Sequence, residues 1–264
     1  MENKYIPEKV KILDIIKHTD KEWTFRVENK SEKVLPGQFY EISIPKFGES
    51  PISVCGLTNE YIDFTIRNVG KVTKELYKYE VGDSLFIRGP YGNGFDINLY
   101  KGREIVIVTG GSALAPVRGI VEHFYNNVDT CEKLSLISGF RSPEDTLFKE
   151  DLKKWNNKLN ILATVDGANE DYTGNIGLVT KYIPELEINN IENVSAIIVG
   201  PPIMMKFAID EVKKLGLAEK NIWVSYERKM CCGLGKCGHC KIDDTYICID
   251  GPVFNYAEAK NLVD

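Results

Sequence analysis

Cys231-Cys232-Gly233-Leu234-Gly235-Lys236-Cys237-Gly238-His239-Cys240, together with Cys248, is the stretch on which the reading of this chain turns. Counted from Cys232, the spacing is C-x4-C-x2-C, with a fourth cysteine after seven further residues. A plant-type [2Fe–2S] cluster is wrapped in this way, by three thiolates from one tight loop and a fourth from a returning segment. Gly233, Gly235 and Gly238 let such a loop take positive φ and bring backbone N–H groups close to the sulfurs. A one-electron centre of this kind implies electron transfer.

Zinc is the competing reading. Structural four-cysteine zinc sites commonly pair two short C-x2-C clips. Here there is one such clip, Cys237 to Cys240, and its partner is C-x4-C. The expected cluster ligands are therefore Cys232, Cys237, Cys240 and Cys248. Cys231 is read as a spectator, because Cys232 directly precedes the Gly-x-Gly. Cys55 and Cys131 read as isolated thiols acting as small hydrophobes.

The chain around this stretch has 264 residues, long enough for two modest domains and a small appendage. It is 43% hydrophobic and 27% charged, with a net charge of −5, so no basic surface argues for nucleic acid. There is no apolar signal core at Met1–Tyr5 and no apolar run of about 18 residues. A cytoplasmic protein is expected, without membrane insertion, which suits thiolates kept as metal ligands rather than disulfides.

The first hundred residues read as β. Trp23–Glu28, Gln38–Ile44 and Tyr61–Arg67 alternate apolar and polar side chains between Gly and Pro punctuation, which suggests a small barrel. From Glu104 onward the pattern becomes strand–helix alternation. Apolar runs at 104–109, Lys133–Ser138, Asn160–Val165, Ser195–Val199 and Asn221–Ser225 are separated by helical patterns at Ala115–Tyr125, Asp145–Trp155 and Pro202–Leu215. Continuous apolar strands linked by helices indicate a doubly wound parallel sheet. The expected division is a β-barrel at 1–100, an α/β domain at 101–225 and a cysteine segment at 226–264.

Several turns suit anionic ligands. Thr109-Gly110-Gly111-Ser112-Ala113-Leu114-Ala115-Pro116 ends a strand and opens a helix, where N–H groups and the helix dipole favour a pyrophosphate. Gly200-Pro201-Pro202 lies at the carboxyl edge of the same sheet, where ligands bind in parallel folds. In the first domain Pro51-Ile52-Ser53 and Thr65 through Thr73 mark strand ends, and Arg67 with neighbouring N–H groups suits a phosphate. Arg88-Gly89-Pro90-Tyr91-Gly92-Asn93-Gly94 forms a further Gly-rich loop. Taken singly, each of these has an equally good reading as an ordinary turn.

In this order the motifs resemble the ferredoxin–NADP reductase superfamily, in the branch that carries a C-terminal [2Fe–2S] site. That branch includes electron-transfer subunits of dihydroorotate dehydrogenase, gamma subunits of sulfhydrogenases and the electron-transfer subunit of anaerobic sulfite reductase. The resemblance spans the chain and is carried by Pro51-Ile52-Ser53, Arg67 through Thr73, Gly89 through Gly92, Thr109 through Pro116, Gly200-Pro201-Pro202, and Glu227-Arg228-Lys229-Met230 leading into the cysteines. It implies FAD on the barrel, held by Pro51, Ile52, Ser53, Thr65, Ile66, Arg67, Val72 and Thr73. It implies NAD(P)H, with NADH favoured, on the second domain at Gly110, Gly111, Ser112, Gly139, Arg141, Asp166, Gly200 and Pro201.

Two positions depart from the family pattern: Ser50 stands where an Arg usually precedes the Ser motif, and Val199 stands where Cys often precedes the Gly-Pro turn. Ser50 and the Gly-Leu-Gly-Lys-Cys-Gly-His-Cys form resemble the sulfite reductase or sulfhydrogenase branches, the former first, more than the dihydroorotate branch. The resemblance thus implies a flavin-dependent NAD(P)H oxidoreductase subunit. It would deliver single electrons to the catalytic and iron–sulfur subunits of a reductase, anaerobic sulfite reductase first, with a sulfhydrogenase or dihydroorotate dehydrogenase as alternatives. Hydride transfer between two cofactors needs no side-chain acid or base, so no catalytic residue is expected among His18, His123 and His239. A zinc-stabilised binding module without enzymatic activity is the reading from a different class.

Overall fold

The computed structural model describes residues 5–31 and 33–262. They form two compact units, one of the described residues up to 95 with 226–253, the other of 96–225 with 254–262. The cysteine stretch therefore groups with the N-terminal unit, and the chain from Phe254 onward with the α/β unit, rather than 226–264 standing as one segment.

In the first unit β1 (Glu8–Lys17), β2 (Glu22–Glu28), β3 (Phe39–Ile44), β4 (Gly48–Leu57), β5 (Tyr61–Arg67) and β6 (Ser84–Tyr91) close a barrel in the order β1-β2-β5-β4-β3-β6. Alternation aims Val10, Ile12, Phe25, Val27, Tyr40, Ile42, Phe64 and Leu85 inward, and these form the barrel core. Each such residue fully buried contributes roughly 1.5–3 kcal/mol. The other face of β3, β4 and β6 sets Glu41 opposite both Pro51 and Arg88. A short helix, α1 (Lys71–Leu76), follows β5.

The second unit runs β7 (Glu104–Gly110), α2 (Leu114–Asn126), β8 (Lys133–Phe140), α3 (Lys149–Trp155), β9 (Asn160–Val165), β10 (Asn175–Ile176), α4 (Val179–Tyr182), β11 (Val194–Val199), α5 (Pro202–Lys214) and β12 (Ile222–Ser225). The sheet order is β10-β9-β8-β7-β11-β12, with Val253–Asn255 beyond β12. Pairing from β10 through β12 is parallel. All six residues of β11 are buried, as a strand covered on both faces requires. Strand order reverses between β7 and β11, so a ligand crevice is expected beyond their carboxyl ends. The helical pattern at Asp145–Trp155 is realised only from Lys149. Phe148 takes φ 52°, Leu147 and Phe148 are buried, and Ser142 closes a turn onto Asp145, so the first residues of that pattern anchor a loop. No helix among the described residues is long and apolar enough to cross a membrane.

Candidate cofactor sites

The cysteine loop has the backbone its glycines permit: φ is 70° at Gly233, 67° at Gly235 and 79° at Gly238. The turns aim amides at sulfur. Leu234, Lys236 and Cys237 N–H each donate to Cys232 Sγ at 3.4 Å, and Gly235 N–H donates to Cys248 Sγ at 3.2 Å. Neighbouring thiols act on one another: Cys232 on Cys237, and both Cys240 and Cys232 on Cys248. Cys237 is exposed, whereas Cys240 and Cys248 are buried. Burial pushes the Cys248 thiol up to about 12, while the His239 N–H pulls Cys237 down. Cys232, Cys237, Cys240 and Cys248 would hold the cluster, and main-chain N–H groups donating to Cys232 and Cys248 suit cluster-bound sulfur. Cys231 is exposed.

The loop rests on β6 and the residues after it. Arg88 donates to the main-chain carbonyls of Cys231 (2.7 Å) and Cys232 (2.5 Å). A Cβ on Gly233 would lie 2.6 Å from the Tyr91 ring, so the chain passes that ring only as glycine. Asn93 receives the returning segment, donating to the carbonyls of Asp250 (3.0 Å) and Val253 (2.8 Å) and accepting from Val253 N–H (3.2 Å). The Gly-rich loop at 88–94 is thus the seat of the cysteine segment. Beside Arg88, Glu41 is fully buried with neither carboxylate oxygen hydrogen-bonded, and burial pushes its carboxyl up to about 7. Strand alternation alone reads Glu41 as solvent-facing.

On the barrel, Pro51, Ile52 and Ser53 lie half-buried along β4. The Thr65 hydroxyl is engaged with Thr24 (2.7 Å) and Cys55 Sγ (3.0 Å). Ile66 faces the barrel core, and its carbonyl accepts from Tyr77 Oη at 2.6 Å. Arg67 is half-exposed and held by the buried Glu22 carboxylate at 3.2 Å, which aims a cation outward. The Thr73 hydroxyl accepts from Val69 N–H (3.1 Å) and Gly70 N–H (2.8 Å), closing the turn rather than pointing to solvent. Val72 packs against the edge of the core.

In the α/β unit the expected nucleotide residues gather at the carboxyl ends of β7, β8, β9 and β11. Gly111 has φ 60° with open space above it, and Ser112 is exposed. Gly110 and Gly200 flank Met204: a Cβ on Gly110 would lie 2.7 Å from Met204 Sδ, and one on Gly200 2.6 Å from its Cε. Gly139 is required by the packing of α4, since its Cβ would lie 2.5 Å from Val179 Cγ1. Arg141 and Asp166 are exposed at neighbouring strand ends, and Pro201 is exposed at the start of α5. The place of Met204 at the strand-order reversal emerges only from the fold.

The chain matches two families: Oxidoreductase NAD-binding domain over residues 107–210, and Iron-sulfur cluster binding domain of dihydroorotate dehydrogenase B over residues 227–260. It is 37% identical to sulfhydrogenase 2 subunit gamma of Pyrococcus furiosus over 97% of each chain. It is 33% identical to the dihydroorotate dehydrogenase B (NAD(+)) electron transfer subunit of Clostridium perfringens, over 96% of this chain and 97% of that one. In fold it is similar to the NADH-dependent reduced ferredoxin-NADP oxidoreductase structure, with a TM-score of 0.78 at 24% identity over 94% of this chain and 88% of the other. A chain related along its whole length to such subunits, with a nucleotide-binding α/β unit and a four-cysteine loop, belongs to the ferredoxin–NADP reductase superfamily, in its branch of electron-transfer subunits with an iron–sulfur binding domain.

Proposed function

We propose that this chain is the electron-input subunit of a larger reductase, taking hydride from NAD(P)H onto FAD and delivering single electrons through a [2Fe–2S] cluster. The observation that carries the proposal is the cysteine loop's backbone, which brings three N–H groups onto Cys232 Sγ and the Gly235 N–H onto Cys248 Sγ. FAD suits the barrel through the half-buried Pro51–Ser53 edge and the Arg67 cation aimed outward by Glu22. NAD(P)H suits the turn at Gly110, Gly111 and Ser112 and the crevice at Gly200 and Pro201, with Gly139, Arg141 and Asp166 on the neighbouring strand ends. When bound, the flavin accepts electrons in pairs and releases them singly, and the cluster carries one at a time. The chain's own work is to align, exclude water and hold the cluster. No side chain need supply a proton to the reacting carbon.

The exit lies at the exposed Cys237 with Lys236, Gly238 and His239, where a partner's acceptor would approach. The likeness to a sulfhydrogenase gamma subunit supports a hydrogenase-type catalytic partner. Ser50 and the form of the cysteine loop favour a second reading, anaerobic sulfite reductase. We assign the protein to the cytoplasm.

The test is an anaerobic spectrum with flavin, iron and acid-labile sulfide contents. NADH and NADPH titrations follow, then assays of one-electron dyes, protons and sulfite with and without co-purifying subunits. Dye reduction by the chain alone, with proton or sulfite reduction only in the complex, is expected. A colourless, zinc-loaded protein would falsify the reading in favour of a binding module.

A further inference from the structure

Arg88 is only 6% exposed, yet every donor of its guanidinium has an acceptor. Nε bonds both oxygens of Glu49, at 2.9 and 3.1 Å, and Nη2 bonds Glu49 Oε2 at 2.5 Å and the Cys231 carbonyl at 2.7 Å. Nη1 bonds Tyr91 Oη at 3.1 Å and the Cys232 carbonyl at 2.5 Å. The two carbonyls belong to the peptides on either side of the Cys232 Cα, so one planar fork orients the main chain through the first ligand of the cysteine loop. The same fork grips Glu49 on β4, two residues before Pro51. Glu41 lies beside it but takes no hydrogen bond from it, so all the donors go to the loop, Tyr91 and Glu49. A lysine, a point charge on a flexible stem, cannot reproduce this set.

We propose that Arg88 is the positioning residue for electron hand-over, fixing Cys232 against the strand that carries Pro51–Ser53. The proposal rests on the flavin and cluster assignments above. Its physical content is twofold. The rigid fork removes freedom from the loop that sets the separation between two redox centres. Its positive charge, close to the cluster's peptide frame, favours the reduced and more negative state, because cluster potentials respond to local charge and hydrogen bonding.

The test compares Arg88→Lys, Arg88→Met and Glu49→Gln in the full chain with cofactors loaded. Three quantities are read: amide exchange across 233–237, the cluster potential by EPR-monitored titration, and the ratio of cluster-reduction to flavin-reduction rates in stopped flow. Arg88→Met and Arg88→Lys should both lower that ratio severalfold and speed exchange, because electron hand-over slows as the two centres separate. The potential should fall in Arg88→Met and less in Arg88→Lys, which keeps the charge. Glu49→Gln should give an exchange rate and a ratio between wild type and Arg88→Lys, while its potential, with a negative charge removed, should not fall; it carries the test if Arg88→Met does not retain its cluster. Wild-type exchange and ratio in the variants overturn the proposal, as does full recovery by Arg88→Lys, which would leave charge alone as the cause. If no electron from NAD(P)H reaches the wild-type cluster, the functional reading itself fails. If electrons arrive equally fast in every variant, only the role of Arg88 does.

Discussion

Two glycine-rich turns in this molecule use glycine for different reasons. In the cysteine loop, Gly233, Gly235 and Gly238 all have positive φ, which L side chains rarely adopt. At the end of β7 and after β11, Gly110 and Gly200 are required by space, because Met204 stands where their Cβ atoms would be. Gly110 itself has φ −129°, open to any residue. The first turn is intolerant in its own backbone; the second chiefly because of one flexible neighbour, with Pro201 Cδ 3.2 Å from a Cβ on Gly110. The difference matters for function, since a loop wrapping a cluster must hold its amides on sulfur, whereas a nucleotide crevice can be reshaped by moving a thioether.

The largest effect expected is in the cysteine loop itself. Cys240→Ser should lose iron and acid-labile sulfide to background, and Cys231→Ser should retain both. Full cluster content in Cys240→Ser, or its loss in Cys231→Ser, would show that the ligand set is a different one.

The two turns separate in the next comparison. Gly110→Ala should lower stability by about 1–3 kcal/mol through overpacking against Met204, and Met204→Ala in the same chain should recover most of it. Gly233→Ala should not be recovered by Tyr91→Ala, because a left-handed backbone still costs a non-glycine residue roughly 1–2 kcal/mol after the clash is gone. Thermal melts and iron content of the two single and two double variants decide it. Equal recovery in both pairs would erase the distinction.

A smaller effect belongs to Glu41. Its carboxyl sits at about 7 in the folded chain, against an ordinary value of 4.5. Between those values the folded chain keeps a proton that the unfolded chain releases, so stability falls as pH rises through the window and stays lower above it. Glu41→Gln removes this dependence. The variant should gain on wild type between about pH 5 and pH 8, by at most roughly 3 kcal/mol. A stability difference that does not change with pH would mean that Glu41 finds a partner in solution.

The strand–helix alternation after Glu104 and the apolar β11 are legible because burial on both faces leaves a continuous apolar run. The helical pattern that ends at Trp155 overruns the helix at 149–155, because Leu147 and Phe148 are apolar for a different reason, as anchors of a loop. Arg67 is legible as a phosphate residue by charge and position; that Glu22 holds it is not. Thr73, which invites a ligand role through its hydroxyl, uses that hydroxyl to close its own turn.

The spacing of Cys232, Cys237, Cys240 and Cys248 by itself points to a cluster loop, within the stretch that matches an iron–sulfur binding domain, because ligand geometry is local and a fixed number of residues spans it. Composition and periodicity likewise determined a barrel followed by a parallel sheet, since side-chain period reports which faces are buried. Only the tertiary structure decided that Arg88, 143 residues before Cys231, grips that loop, that Glu41 is buried on the face that alternation assigns to solvent, and that Met204 crowds the reversal of strand order. These are contacts between residues far apart in the chain. No local period or spacing encodes them, and they exist only once packing has brought the surfaces together.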